Sequence, residues 1–480
     1  MRLVVCSNSS PRWEDGVGLL PRSPGGLVPL LVTLLAEHGG DWLCTVPLGG
    51  SPVGPSDPDS EDGVEVVALP GDVALHQVRR SKAVLEQHYE DIGIRLMLWL
   101  FHYLFDTARE PVFDGAFAQA WAGYESVNRA YADHLATVLR NSPDELVLIN
   151  DYHLFLVPEM LEPRAHRAST VAYFHGLPWC EPEYFDILPA RIRDRILASL
   201  LRCDIVGFHC TRWARAFLAC CARFLPDCAT DDEGVVLDGH RTRISVASFP
   251  LDVPILERMR DAPETVRWRQ RLRAAGGGRR VIVRADRIDL WKNLPRGFAA
   301  YRSLLQRRPE LAGDWWFCAV VTVPSRTTER SRDLRRVCEE MVEELNERFG
   351  TPGRPAVSLI WPDLATTRNC VVAALSDADL VLVNPTIDGM NLVAKEALYF
   401  AEHGSLLLSP NAGAYEGLAD HVTPVDPFDV EATAAAMLDA MDSGQVPARQ
   451  VAGRELLRGH DATTWLAELT GSAVPGLVGR

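Results

Sequence analysis

Short, continuous runs of apolar and β-branched residues alternate along the whole chain with longer segments of helical pattern. No other feature of the sequence constrains the fold as strongly. The clearest runs are 2–7 (RLVVCS), 146–150 (LVLIN), 170–174 (TVAYF), 205–209 (IVGFH), 280–285 (RVIVRA), 316–321 (WFCAVV), 357–361 (VSLIW), 380–384 (LVLVN) and 405–409 (SLLLS). A strand that is apolar on both faces needs cover on both faces. Such strands separated by helices therefore imply parallel, doubly wound sheets. In those sheets ligands sit where loops leave the carboxyl ends of the strands.

Two series of this kind are present, one before about residue 245 and one after about residue 279. The segment FPLDVP (249–254), followed by an arginine-rich helix, reads as the connection. The expectation is an α/β protein with two doubly wound, Rossmann-like domains, 1–248 and 249–480, facing each other across a cleft. The last helical stretch, about 453–480, is a candidate to pack back on the first domain. Residues 47–64, rich in Pro, Gly, Ser and Asp, read as an exposed loop. A chain of 480 residues has ample material for two such cores.

Composition narrows the partners. With 49 Lys and Arg against 64 Asp and Glu, the net charge is −15, which disfavours nonspecific nucleic-acid binding. The start of the chain reads as a strand and not as a signal segment, and the apolar stretch 95–105 is too short to span a bilayer. The expectation is a soluble, cytoplasmic protein without membrane or nucleic-acid partners, acting on small molecules, with homo-oligomer formation left open. Eleven cysteines include no Cys-x-x-Cys pair, so free buried thiols are expected and not a zinc site. Asp57 and Asp59, or Asp377 and Asp379, offer Asp-x-Asp spacing, but neither context makes a metal cage, and no metal or cofactor is assigned.

Three strand-end segments can carry chemistry. In NPTIDGMNLVAKEAL (384–398) a buried strand ends at Asn384, Asp388 and Gly389 form a tight loop, and a helix starts near Asn391. The helix N-terminus suits a phosphate or sugar oxygen, Asp388 can accept from sugar hydroxyls, and Glu396 can reach a ribose. The same pattern also fits a capped helix with solvated Lys395 and Glu396. In RADRIDLWKNLPRGF (284–298), Arg287 and Lys292 share one loop and can grip a diphosphate; a solvated basic loop is the alternative. NDYHL (150–154) and YFHGLPW (173–179) place Asp151 and His175 at neighbouring strand ends, facing the cleft. No Gly-x-Gly-x-x-Gly after a strand, no phosphate loop and no Gly-x-Ser-x-Gly elbow is present.

In this order, these segments resemble the trehalose-6-phosphate synthase family of retaining glycosyltransferases. The matching parts also include SN-x-x-P (7–11), GGL (25–27), LWLFHY (98–103), PEYFDILPARIRDRILASLLRCDIVGFH (182–209) and PSR (324–326). The resemblance implies the GT-B fold, with a nucleoside diphosphate sugar held by the C-terminal domain and an acceptor by the N-terminal one. It assigns donor binding to Gly26, Arg287, Lys292, Asp388, Gly389, Met390, Asn391, Leu392 and Glu396. It assigns acceptor binding to Ser9, Glu90, Trp99, Asp151 and Arg326, and catalysis to His175, Asp151, Arg287 and Lys292.

The departures concern the acceptor. Ser9 stands where the family has a phosphate-gripping Arg, Thr45 where it has a second Trp after Trp42, and Glu90 where it has a Tyr. Gly93-Ile94-Arg95 replace Phe-Ser-Asn. One cation lost and one carboxylate gained disfavour a phosphate and favour an ammonium. The expected reaction is hexose transfer to an amino sugar or aminocyclitol in antibiotic-type natural-product assembly. The alternatives are trehalose 6-phosphate synthesis from glucose 6-phosphate, a pseudo-glycosyltransferase of the validoxylamine-phosphate synthase type, and a non-catalytic sugar-nucleotide sensor.

Overall fold

Every one of the apolar runs forms a strand in the computed structural model, which describes residues 2–14, 18–20, 26–47, 62–141, 145–162, 169–323, 329–443 and 448–471. The chain divides into two units, Met1–Phe249 with Ala462–Arg480, and Pro250–Asp461.

The first unit is built on a ten-stranded sheet. Its parallel centre runs Val73–Arg80, Gly40–Pro47, Leu3–Ser7, Leu146–Asn150, Thr170–His175, Ile205–Phe208, His240–Val246. Antiparallel strands close both edges, Gly63–Leu69 on one side and Gly234–Leu237 with Ala229–Asp231 on the other. The strand order reverses between Leu3–Ser7 and Leu146–Asn150, so the loops leaving those two strands open the crevice of this sheet. Helix Ala462–Thr470 belongs to this unit. The Trp465 indole donates to the Ala247 carbonyl at 3.1 Å, and Arg243 donates to the Leu469 carbonyl at 2.7 Å. Gly207 permits this docking, since a Cβ there would lie 2.3 Å from Leu469 Cδ1.

Two central strands, Gly40–Pro47 and Val73–Arg80, escaped the sequence reading for a physical reason. They bury Asp41, His76, Gln77 and Arg79, which breaks the apolar signature. Two of them satisfy each other, Asp41 Oδ1 lying 2.6 Å from His76 Nε2, while His76 Nδ1 lies 2.7 Å from His134 Nε2 and Arg79 pairs with Glu65 of the edge strand. Of the loop expected at 47–64, residues 48–61 lie outside the described residues, and Gly63 and Val64 open an edge strand.

The second unit holds six parallel strands ordered Val357–Ile360, Trp315–Thr322, Arg280–Arg287, Leu380–Val383, Ser405–Leu408, Thr423–Pro424. This is the doubly wound order, with its switch point between Arg280–Arg287 and Leu380–Val383. Its core packs Phe298, Tyr301, Leu304, Phe317 and Leu382 between helix Leu294–Arg307 and the sheet. None of the eleven cysteines forms a disulfide, and all but Cys228 are buried. Among the described residues no metal-holding group of His, Cys, Asp and Glu forms, and no helix is long and apolar enough to cross a membrane. Asp57 and Asp59 lie outside the described residues.

Candidate active site

Both basic and acidic segments singled out in the second unit leave the two strands flanking its switch point. Strand Arg280–Arg287 runs into a single turn, Leu290–Lys292, and then helix Leu294–Arg307. Strand Leu380–Val383 runs into the loop 384–391 and helix Leu392–Phe400. Lys292 Nζ donates to Asp388 Oδ2 at 2.6 Å, and Asn391 Nδ2 donates to the same oxygen at 3.1 Å. Burial opposes the Lys292 charge, but Asp388 and Asp286 outweigh it and hold the ammonium above its usual pKa. Arg287 lies at the rim, its side chain 52% exposed, with Nε directed at Asp289 Oδ2 at 2.5 Å. The two cations thus share one strand end.

Asn391 adopts a left-handed conformation (φ 69°) and caps helix Leu392–Phe400, its side chain accepting from the Ala394 amide. The loop is fixed from behind: the Asp388 amide donates to the Asn411 carbonyl at 3.0 Å, and the Ala414 amide to the Met390 carbonyl at 2.8 Å. Gly389 and Met390 are buried, while Leu392 is half-buried. Lys395 and Glu396 are buried too, which overturns the reading of a solvated helix face. Arg368 Nη2 lies 2.6 Å from Glu396 Oε1, and Glu396 Oε2 is buried without a hydrogen-bond partner.

Arg284 was not singled out in the sequence, although a cation inside an apolar strand demands partners. It is fully buried and ties the two strand ends together. It donates to Asp286 Oδ2 at 2.8 Å, to Asn384 Oδ1 at 2.7 Å, and to the carbonyls of Asn293 and Lys292. Gly297 makes room for it, since a Cβ there would lie 2.3 Å from Arg284 Nη1. Asn293 completes the latch, donating to the carbonyls of Asn384 at 2.9 Å and Pro427 at 2.7 Å.

In the first unit, Ser7 pairs with Asn150 across adjacent strands, so Ser9 and Asp151 leave neighbouring strand ends at that sheet's switch point. Ser9 is exposed; its carbonyl accepts from the Trp42 indole at 3.2 Å. The Thr45 hydroxyl donates to Asn8 Oδ1 at 2.7 Å. Two departures from the family pattern, Ser9 and Thr45, therefore meet in one small cluster with Asn8 and Trp42. Glu90 is half-buried on the wide, π-type helix Gln87–Leu98, where Tyr89 stacks on His153 with ring centroids 5.3 Å apart. Gly93, on the same helix, lies against the His153 ring, 3.1 Å from where a Cβ would stand. Trp99 is half-buried beside Phe105. Gly26 is exposed at the start of helix Leu27–His38 with φ 82°. Arg326 lies outside the described residues.

His175 was expected to face an open cleft. Instead it is fully enclosed, with the rings of Phe101, Phe155, Trp179 and Phe208 all within 6.0 Å of its own. The cage is assembled from separate segments, with Trp179, from the turn after the strand, set edge-on to the imidazole at 4.9 Å between ring centroids. Burial pushes its pKa down to about 3, so the ring is neutral near pH 7, and its Nε2 has no hydrogen-bond partner. Its Nδ1 lies 3.2 Å from the Tyr173 hydroxyl and 4.0 Å from Asp151 Oδ1.

Asp151 has a backbone φ of 70° and accepts from the Gly176 amide at 3.2 Å. A non-glycine residue at positive φ is strained and is kept where function or context demands it. Burial raises the Asp151 pKa from 3.8 to about 6. The folded protein then binds more protons than the unfolded chain between those two values, so stability falls as pH rises through that window. Asp151→Asn should therefore be more stable than wild type above pH 6, by at most about 3 kcal/mol, and no more stable below pH 3.8. Urea unfolding at a series of pH values checks this, and an equal difference at all pH values would refute it.

The profile of Glycosyltransferase family 20 matches residues 9–472. The UDP-forming α,α-trehalose-phosphate synthase of Schizosaccharomyces pombe is 30% identical over 453 residues, covering 92% of this chain and 83% of that one. The bifunctional trehalose-6-phosphate synthase/phosphatase of Thermoproteus tenax is 32% identical over 477 residues, covering 97% and 62%. An E. coli structure bound with UDP-2-fluoro glucose has the same GT-B fold, with a TM-score of 0.83 at 25% identity over 100% of both chains.

Proposed function

The chain belongs to glycosyltransferase family 20, and we propose that it is a trehalose-phosphate synthase, moving a glucosyl unit from UDP-glucose to glucose 6-phosphate with retention of configuration. The observation that carries the reading is the meeting of Lys292 with the Asp388–Leu392 loop at the switch point of the second sheet. A buried ammonium, the rim guanidinium of Arg287 and the N-terminus of helix Leu392–Phe400 converge there. These are the groups that stabilise charge on a departing diphosphate, and such preorganised donors are the usual largest contribution to catalysis.

In this reading the bond from the sugar's anomeric carbon to the UDP oxygen breaks as the acceptor hydroxyl oxygen attacks from the same face. The hydroxyl proton passes to the departing diphosphate oxygen. Lys292 and Arg287 hold the charge that develops there, and Asp388 keeps Lys292 aimed. The buried, unpartnered Oε2 of Glu396 supports a ligand hydroxyl at that position, because a buried carboxylate oxygen otherwise lacks a donor. Neutral His175, sealed among aromatic rings, does not carry charge in this reading; no covalent enzyme intermediate is invoked.

The amine-bearing natural-product acceptor expected from the sequence, and with it antibiotic biosynthesis, gains no support from the relatives, which are named for trehalose phosphate. Sugar phosphate fits them better. One local observation still favours an amine: uncharged Ser9, in a cluster with Asn8, Trp42 and Thr45, stands where the resemblance expects an Arg. A single assay decides. UDP release from UDP-glucose should accelerate with glucose 6-phosphate, giving trehalose 6-phosphate, and stay at background with glucosamine or an aminocyclitol. The reverse pattern establishes the second reading, and no release with any acceptor removes both.

A further inference from the structure

We propose that the Pro250–Asp461 unit carries a second anion site, for inorganic phosphate or a phosphate monoester, at the opposite end of its sheet from Lys292 and Asp388. A cavity of ≈ 700 Å³ opens there, lined by Arg260, Arg269, Arg273 and Arg279 together with Asp377, Asp379 and His403. Arg279 immediately precedes strand Arg280–Arg287, and Asp379 immediately precedes Leu380–Val383, so the cavity lies at the amino ends of the two strands whose carboxyl ends hold the candidate donor loops. Along an eight-residue strand that separation is roughly 25 Å. The site is therefore independent of the proposed catalytic chemistry.

Of the three acids around the cavity, Asp377, Asp379 and Glu402, the two aspartates are engaged in hydrogen bonds. Asp377 takes both Arg269, at 2.5 Å, and Arg273, at 2.8 and 2.9 Å. Asp379 accepts from the Val281 amide at 2.7 Å. That leaves Arg279 without a carboxylate and Arg260 with two that come no closer than ion-pair distance. Arg260 approaches Asp261 and Glu402 only to 3.8 and 3.9 Å, beyond hydrogen-bond distance. Arg279 is 8% exposed and meets only neutral carbonyls, those of Gly276 and Pro355 at 2.8 Å and Ala312 at 3.4 Å, while its Nη2 has no partner. Burial and the neighbouring Arg354 both work against its charge. A buried guanidinium without a counter-ion is costly unless an anion completes it. The planar forks of two arginines match phosphate oxygens, and the cavity falls in the range of about 300–1,000 Å³ usual for small-molecule sites.

Equilibrium dialysis of the full-length protein against labelled inorganic phosphate, and in a separate arm against glycerol 3-phosphate, tests the proposal. The wild type should bind saturably. Arg260→Gln and Arg279→Gln should each weaken binding about tenfold to a hundredfold, the loss of one charged hydrogen bond, while Arg287→Ala should leave this binding unchanged. Tighter binding of glycerol 3-phosphate identifies a monoester ligand, and equal binding identifies free phosphate. Should Arg279→Gln fail to fold, Arg260→Gln, whose side chain is 35% exposed, carries the test alone. Absence of binding to wild type, binding unaffected by the Arg260 substitution, or binding lost in Arg287→Ala overturns it.

Discussion

Lys292→Ala is expected to lower turnover by about a hundredfold or more, the loss typical when one preorganised charge-stabilising donor is removed. It should also cost more stability than Arg287→Ala. The Lys292–Asp388 pair is largely buried, with side chains 14% and 12% exposed and a separation of 2.6 Å. Removing one partner strands the other as an uncompensated buried charge, at a cost of about 3–5 kcal/mol in such pairs. Arg287 is half-exposed but its partner Asp289 is buried, so Arg287→Ala leaves one buried carboxylate short of a charged hydrogen bond and should cost about 1–3 kcal/mol, less than Lys292→Ala, while still reducing turnover. Combining Lys292→Met with Asp388→Asn should restore much of the stability and none of the turnover. Urea unfolding beside initial-rate kinetics separates these outcomes. Unchanged turnover in Lys292→Ala would remove Lys292 from the chemistry.

Arg284→Gln should be the most damaging substitution outside the residues that meet substrate. The guanidinium is fully buried and holds Asp286, Asn384 and the carbonyls of Lys292 and Asn293 at once. Its loss leaves Asp286, whose pKa burial already raises, without its main counter-charge, and releases the turn that aims Lys292. The expected cost is again about 3–5 kcal/mol, with turnover falling because a misplacement of even about 1 Å at a reacting group can cost a hundredfold. Arg284→Lys should rescue only part, since an ammonium cannot reproduce the planar set of bonds. If Arg284→Gln retained both wild-type stability and wild-type turnover, the latch between the two strand ends would be wrong.

Continuous apolar runs declared the strands they form, because a strand buried on both faces has no polar alternation to confuse it. Gly40–Pro47 and Val73–Arg80 stayed hidden because Asp41 pairs with His76, and Arg79 with Glu65 of the edge strand, pairings visible only in three dimensions. The candidate donor loops were legible for a similar reason as the strands: Arg287, Lys292, Asp388 and Asn391 lie at strand ends with turn residues beside them. Arg284 was not, since its partners come from positions 286, 292, 293 and 384. His175 was misjudged as open because its cage is assembled from Phe101, Phe155, Trp179 and Phe208, which no local pattern connects. Glu396 resisted in the same way: whether it was solvated or buried depended on Arg368, from a different helix.

The most direct test of a donor diphosphate site at Arg287, Lys292 and the Asp388–Leu392 loop is a calorimetric titration of the full-length protein with UDP. Binding to the wild type should be saturable, and weakened about tenfold or more in Arg287→Ala and in Lys292→Ala, the loss of a charged hydrogen bond each. Asp151→Asn should bind UDP as the wild type does. Wild-type affinity in both cation variants, or no binding of UDP to the wild type, would contradict it.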